Sequence, residues 1–184
     1  MTEIRFISGN PHKLAEAEQI LKAAGVTLRG SKREITELQT DDITKLIRHK
    51  ALQVFKKVGY PLFVEHTGLA LDHLNGFPGG LTQIFWDTLK ADKFAELFGK
   101  LSPVNTAFAQ THIAYCDGRN IHIFEGSIRG IVAPEPRGKR DFQWDCVFQP
   151  DGYTETFAEM ADKKNAISMR KIALDKFRQY LETR

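Results

Sequence analysis

The chain has 184 residues, a length typical of one domain that buries about 70 % of the surface exposed by its unfolded form. Its 26 Lys and Arg residues against 23 Asp and Glu residues give a formal net charge of +3, too small to indicate a nucleic-acid partner. The N-terminal apolar run is too short for a signal peptide, and no stretch reaches membrane-spanning length. We therefore expect a cytoplasmic protein with no membrane partner, and Cys116 and Cys146, which lack metal-ligand spacing, are expected to be reduced thiols.

The first predicted unit is a strand, a loop and a helix. Ile4–Ile7 is apolar and rich in β-forming residues, and Ser8–Asn10 follows as a loop whose Asn suits the helix N-cap, with Pro11 at the first helical position. Such a junction directs backbone N–H groups and the positive helix end at the loop, which favours phosphate, and Lys13 adds a charge in the first turn. Many α/β proteins have the same junction without a ligand, so a purely structural role stays open.

Strands and helices alternate further along the chain. Val26–Arg29 predicts a second strand, and Asp41 or Asp42 predicts the cap of a long amphipathic helix. Leu62–Val64 predicts a buried strand that ends at Glu65–Gly68. The end of a buried strand is a common place for ligand chemistry in open α/β sheets.

The second half of the chain predicts mainly strands. Ala107–Cys116 and Ile121–Phe124 are expected to form a hairpin, followed by a separate strand at Ile128–Val132. Phe142–Phe148 and Tyr153–Phe157 flank a Pro-Asp-Gly turn and predict a second hairpin. A last amphipathic helix is expected near the C-terminus.

The stretch from Asp141 to Arg170 holds residues that suit a planar ligand. Phe142 and Trp144 flank one position, and stacking on aromatic faces is worth roughly 1–3 kcal/mol per nucleobase. Lys164 and Arg170, placed at the ring edge, would donate to the 6-carbonyl of a purine but would oppose the amino group of adenine. The pattern therefore predicts a preference for 6-oxo purines.

Three stretches of the chain resemble the inosine triphosphate pyrophosphatase family, the Ham1-like enzymes that cleave ITP, dITP and XTP to the monophosphate. The run FQWDC…FQPDGYTETFAEM…KKNAISMR is similar to the family pattern FGWDP…FxPDG…TFAEM…KNxISHR. SGNPHKLAE at Ser8–Glu16 and VEHTGLALDHLNGFPGG at Val64–Gly80 also agree with it. The resemblance implies one α/β domain over residues 1–184, with a long mixed β-sheet flanked by helices, two lobes, the nucleotide in the cleft between them, and a homodimer.

The resemblance also implies roles for single residues. Lys13 falls on the lysine of the family's phosphate-binding loop. Lys50 lies near its second phosphate-facing lysine, but it could equally be an ordinary solvated helix residue. Glu37, in ELQT, and Glu65 fall on glutamates that hold the metal ion, which implies Mg²⁺ as cofactor. The residues expected to bind substrate are Ser8, Gly9, Asn10, Lys13, Lys50, Thr67, Gly68, Phe142, Trp144, Asp145, Lys164, Ser168 and Arg170.

His66 stands where the family has the aspartate that takes the proton from the attacking water. With Glu65 and Lys13 it completes the expected catalytic set. An imidazole with a pKa near 6.5 is mostly neutral at cytoplasmic pH and can act as a general base, although it is a poor ligand for Mg²⁺. The simpler alternative is that His66 only hydrogen-bonds a loop carbonyl.

Three further residues depart from the family pattern. Met169 replaces a histidine that touches the base, and Gln143 and Cys146 replace a glycine and a proline in the walls of the base pocket. Two hypotheses follow. The first is a Mg²⁺-dependent pyrophosphatase acting on ITP, dITP or XTP, with His66 as its base. The second is a sensor that binds (d)ITP, has lost most turnover and signals to an effector protein, for example in antiviral defence.

Overall fold

The computed structural model describes residues 2–33, 35–101 and 103–183, which form one mixed seven-stranded sheet flanked by helices and so confirm the predicted α/β class. The strands are β1 (Thr2–Ile7), β2 (Val26–Ser31), β3 (Leu62–Leu71), β4 (Pro78–Gly79), β5 (Thr106–Cys116), β6 (Ile121–Val132) and β7 (Phe148–Pro150). The helices are α1 (Pro11–Leu21), α2 (Ile43–Val58), α3 (Thr82–Phe94), α4 (Phe157–Met160), α5 (Lys163–Ile167) and α6 (Met169–Glu182). β1 is parallel to β2 and β3, whereas β4 and β7 pair antiparallel with β3 and β6.

The chain divides into two compact units. The first comprises the chain up to His66, Thr111–Gly126 and the chain from Arg170 onward. The second comprises Thr67–Gln110 and Ser127–Met169. β3, β5 and β6 each contribute one segment to either unit, and the single-domain organisation stays a prediction. No helix in the described part of the chain combines the length and the apolar character needed to cross a membrane.

In the first unit, helices cover both faces of the sheet, and the period-two alternation of the strands decides which side chains meet which helix. The core on the side of α1 and α6 holds Ile4, Phe6, Phe63 and Ile113 of the sheet with Phe177 of α6. The core on the side of α2 holds Ile7, Leu62, Val64 and Ala114 of the sheet with Ile47 of α2. Phe63 and Val64 point to opposite faces of the sheet. The next two residues of β3 continue this alternation, so Glu65 lies on the face of Phe63 and His66 on the face of Val64.

The helix ends of the first unit follow the sequence closely. Asn10 caps α1 as predicted, because its Oδ1 accepts a hydrogen bond from the backbone N of Lys13 at 3.3 Å. Asp42 caps α2, accepting from the backbone N of Lys45 at 2.9 Å. α2 ends at Gly59, whose φ of +68° is left-handed and suits glycine. These caps fix the helices that carry Lys13 and Lys50.

In the second unit, the bulkiest side chains of the core are aromatic. The largest members of this core are Trp86, Phe94, Trp144, Phe148 and Phe157. A single 3₁₀ turn, Gln143–Cys146, brings Trp144 into the core, and Thr156 starts α4 with a capping box that includes Glu159. Both cysteines of the chain are buried free thiols, as predicted.

Three predicted boundaries are wrong. β3 continues from Leu62 to Leu71 because Leu69 and Ala70 pair with β4, so Glu65–Gly68 lies inside a strand and not at its end. β6 is one strand, Ile121–Val132, where two were expected. The second predicted hairpin is absent from the described residues: Gln143–Cys146 is a 3₁₀ turn, and the capping box at Thr156 starts a helix where a strand was expected.

Candidate functional site

A cavity of about 220 Å³ lies in the first unit beside the loop that joins β1 to α1. Six of its lining residues were predicted from the sequence: Ser8, Gly9, Lys13, Glu37, Lys50 and Glu65. Arg33, which follows β2, also lines the cavity and was not predicted. Asn10 caps the helix next to the loop and donates its backbone N–H to the Ser8 hydroxyl at 3.1 Å. We refer to Lys13, Glu37, Lys50, Glu65 and Arg170 as the cavity cluster.

Glu65 is the most buried member of the cavity cluster. Lys13 Nζ lies 2.9 Å from its Oε1, and Arg170 Nε donates to its two carboxylate oxygens at 3.1 and 3.2 Å. Burial acts to raise the pKa of Glu65, but Lys13 and Arg170 outweigh burial and lower that pKa to about 2. Arg170 also donates from Nη1 to Glu16 at 3.0 Å. The guanidinium that was expected to read a base therefore binds two carboxylates within the first unit.

Glu37, a member of the cavity cluster, interacts electrostatically with His66. Lys50 Nζ donates to Glu37 Oε1 at 2.5 Å and to the backbone O of Glu65 at 3.4 Å. Burial raises the pKa of the Glu37 carboxyl, but Lys50 outweighs burial and the net shift is downward. Burial lowers the pKa of His66 to about 4, against the opposing effect of Glu37, so its imidazole is neutral near pH 7. Its buried Nε2 has no hydrogen-bond partner among the described residues.

The two glutamates were predicted to hold Mg²⁺, an ion usually bound through one or two carboxylates together with substrate phosphates. Each carboxylate is already engaged by a cation, Glu37 by Lys50 and Glu65 by Lys13. No three His, Cys, Asp or Glu side chains within the described ranges are grouped so as to bind a metal ion. His66 offers a nitrogen, which Mg²⁺ disfavours. As they are paired here, these residues do not fit Mg²⁺.

A second group of predicted residues meets in the second unit. Lys164 Nζ lies 2.5 Å from Asp145 Oδ2, 4.6 Å from the centre of the Phe142 ring and 5.2 Å from that of Phe157. α5 supplies the lysine, and the 3₁₀ turn supplies the aspartate. A cation over an aromatic face is attracted by the ring quadrupole. We refer to Phe142, Asp145, Phe157 and Lys164 as the lysine–aromatic group.

Trp144 departs from its predicted role. Its side chain is 0 % exposed and packs on Phe148 and Phe157, with ring centroids 5.8 and 6.4 Å apart. An indole with no exposed surface offers no face to a base, so the structure corrects the predicted stacking at this residue. Phe142 is only partly buried.

The remaining predicted residues lie in the second unit. Thr67 and Gly68 are interior residues of β3, and Ser168 is a buried residue that ends α5. Met169, which replaces the base-contacting histidine of the family pattern, is buried in the apolar core.

Three residues in or near the cavity cluster were not predicted from the sequence. They are Glu16, Arg33 and His112. Two of them left a signal: Glu16 is three residues from Lys13 on the same helix face, and His112 directly precedes the apolar residues Ile113 and Ala114 of its strand.

Comparison with known proteins adds an independent finding. The model of the Ham1 family matches residues 4–180. The inosine triphosphate pyrophosphatase of Candida glabrata is 37 % identical, over 98 % of this chain and 97 % of the relative. The dITP/XTP pyrophosphatase of Methanosarcina acetivorans is 33 % identical over the full length of both chains. A solved HAM1 protein from Coxiella burnetii superposes with a TM-score of 0.85, at 26 % identity over the full length of both chains.

Proposed function

Because the chain belongs to the Ham1 family, we propose that it binds deaminated purine nucleoside triphosphates (ITP, dITP or XTP) and hydrolyses them to the monophosphate and pyrophosphate. The observation that carries this proposal is the cavity beside the capped start of α1. Lys13 and Lys50 line it together with the loop residues Ser8 and Gly9. Helix starts and lysines both favour phosphate groups.

The proposed chemistry is attack of water on the α-phosphorus. The water's proton passes to His66, the bond from the α-phosphorus to the bridging oxygen breaks, and pyrophosphate leaves with that oxygen. The neutral imidazole and the hydrogen-bonding capacity of its buried Nε2 support this role for His66. Lys13 and Lys50 would stabilise the charge that develops on the phosphate oxygens.

The lysine–aromatic group is proposed to receive the base. Phe142 supplies a partly exposed ring, and Lys164 supplies a donor for the 6-carbonyl of a deaminated purine. The residues proposed to assist them are Asp145, Ser168, Thr67 and Gly68. Lys164→Met should weaken binding of ITP without weakening binding of ATP, as isothermal titration would measure.

A second candidate function is a nucleotide sensor that binds (d)ITP without appreciable turnover and signals to a partner protein. The observation that favours it is the pairing of both cavity carboxylates with cations, together with a histidine at the position of the proposed base. A homodimer and a cytoplasmic location remain predictions of the family resemblance.

Pyrophosphate release from ITP and dITP separates the two functions. We expect the native chain, supplied with Mg²⁺, to release pyrophosphate, and His66→Asn to lose roughly 10²–10⁴ of that rate because it removes the base but keeps a polar side chain. If the native chain binds dITP tightly and only His66→Asp releases pyrophosphate, the sensor is correct and the enzyme is not.

A further inference from the structure

The charged residues that line the first unit's cavity are not balanced. Among the residues that the structure describes, Lys13, Arg33 and Lys50 line it together with two carboxylates, Glu37 and Glu65. Three positive charges against two negative charges leave an excess of one positive charge. A cavity that held Mg²⁺ by protein ligands alone would need the opposite excess, because carboxylates are the protein ligands that offset the charge of Mg²⁺.

Both carboxylates named above are already paired with cations. Both oxygens of Glu65 accept from Arg170, and its Oε1 lies 2.9 Å from Lys13 Nζ. Glu37 accepts from Lys50 at 2.5 Å. A metal ion that bound either glutamate would have to displace an ammonium or a guanidinium from it, and the displaced charge would stay beside the metal.

Two cations beside the cavity remain available to an anion. Among the residues that the structure describes, neither Lys32 nor Arg33 makes a hydrogen bond or an ion pair. The methylene stem of Lys32 runs along the loop between β1 and α1, since a Cβ added at Gly9 would lie 3.5 Å from its Cγ and 3.6 Å from its Cε.

We propose that this cavity binds the polyphosphate tail of a nucleoside triphosphate without a divalent metal ion, with Arg33 as an additional phosphate-binding residue. The proposal rests on the proposed nucleotide binding and specifies how the phosphates are neutralised. Each lysine ammonium has three donors, so Lys13 and Lys50 can contact phosphate oxygens while they stay paired with their glutamates. Arg33 contributes a planar donor suited to bidentate contact with phosphate. The chain therefore keeps a phosphate site although its carboxylates do not fit Mg²⁺.

Isothermal titration of the metal-free chain with ITP tests this inference. We expect the dissociation constants in EDTA and in Mg²⁺ to agree within about threefold. Mg²⁺ that tightened ITP binding by about 100-fold or more would overturn the inference and leave the proposed function intact. Absence of ITP binding in either buffer would overturn the proposed function together with the inference.

Arg33→Gln tests the role of the additional residue. In EDTA it should weaken binding of ITP and of inorganic triphosphate by roughly tenfold, because a charge-assisted contact to phosphate is lost. Arg48→Gln is the matched control, an exposed arginine on α2 that does not line the cavity, and should leave both affinities unchanged. Thermal unfolding of both variants verifies that they fold. If Arg33→Gln binds inorganic triphosphate as the native chain does, Arg33 is not a phosphate ligand.

Discussion

The cavity cluster and the lysine–aromatic group each pair a lysine with a buried carboxylate, but the two arrangements differ in charge balance. In the cavity cluster two cations contact Glu65, and Arg33 adds a further charge to the lining. In the lysine–aromatic group one Lys164 meets one Asp145 beside two aromatic rings. An excess of positive charge selects anions, whereas a balanced pair beside rings suits an uncharged planar group. Charge balance thus distinguishes the two sites where the presence of a lysine does not.

The largest test of this difference removes one carboxylate from each arrangement. Glu65→Gln should lower the free energy of unfolding by about 3–5 kcal/mol, because Lys13 and Arg170 both lose their buried partner. Asp145→Asn removes the carboxylate that pairs with one cation, Lys164, and should cost less, about 1.5–3 kcal/mol. Urea unfolding followed by tryptophan fluorescence measures both. A loss for Asp145→Asn as large as that for Glu65→Gln would contradict the comparison.

Low pH should destabilise the cavity cluster by protonating Glu65. The pKa of Glu65 is about 2 in the folded state, below its ordinary value of 4.5. The ionised Glu65 carboxylate therefore contributes its full stabilisation above pH 4.5, and this stabilisation is lost as the pH falls toward 2. The part lost is on the order of 3 kcal/mol. Urea midpoints measured at decreasing pH should therefore fall more steeply for the native chain than for Glu65→Gln. Parallel curves would show that Glu65 does not carry this sensitivity.

Substitution of the Phe142 ring in the lysine–aromatic group should change the affinity for ITP more than the free energy of unfolding. Phe142→Ala is expected to weaken ITP binding by about 1–3 kcal/mol, because a stacking ring is removed, and to leave the affinity for inorganic triphosphate unchanged. Trp144→Phe is the matched control: the residue is buried in the core, so the change should lower the unfolding temperature and spare the affinity. Equal losses for ITP and inorganic triphosphate in Phe142→Ala would place the ring away from the base.

The smallest expected effects concern the helix caps of the two units. Asp42→Ala removes one side-chain acceptor from the start of α2 and should cost about 1 kcal/mol. Thr156→Ala should cost somewhat more, up to about 2 kcal/mol, because the Thr156 hydroxyl is buried, accepts from the backbone N of Glu159 and donates to the backbone O of Arg137. Thermal unfolding compares the two variants, and the reverse order would contradict the comparison.

Local sequence rules accounted for the first unit better than for the second. The β1–loop–α1 junction, the caps at Asn10 and Asp42, and the stop at Gly59 are set by short-range hydrogen bonds and by left-handed backbone geometry. Their signals therefore lie within a few residues. The length of β3 could not be predicted in this way because pairing with β4 extends it.

The candidate site shows the same limit. The sequence identified Lys13, Glu37, Lys50 and Glu65, which the structure places on one cavity. It did not reveal that Arg170 forms an ion pair with Glu65, because that contact joins residues more than a hundred positions apart. It also gave no sign that Trp144 faces the core, since an aromatic pair flanking one residue suits both a ligand and a hydrophobic cluster.

The opposite orientations of Glu65 and His66 on β3 also bear on how such a protein changes over generations. Adjacent residues of a strand share no face, so exchange of residue 66 leaves the ion pairs of residue 65 in place. Natural variation at residue 66 can therefore leave the ion pairs of Glu65 intact. If His66 is the base proposed above, a lineage with this architecture can gain or lose turnover through one codon and remain folded in either state.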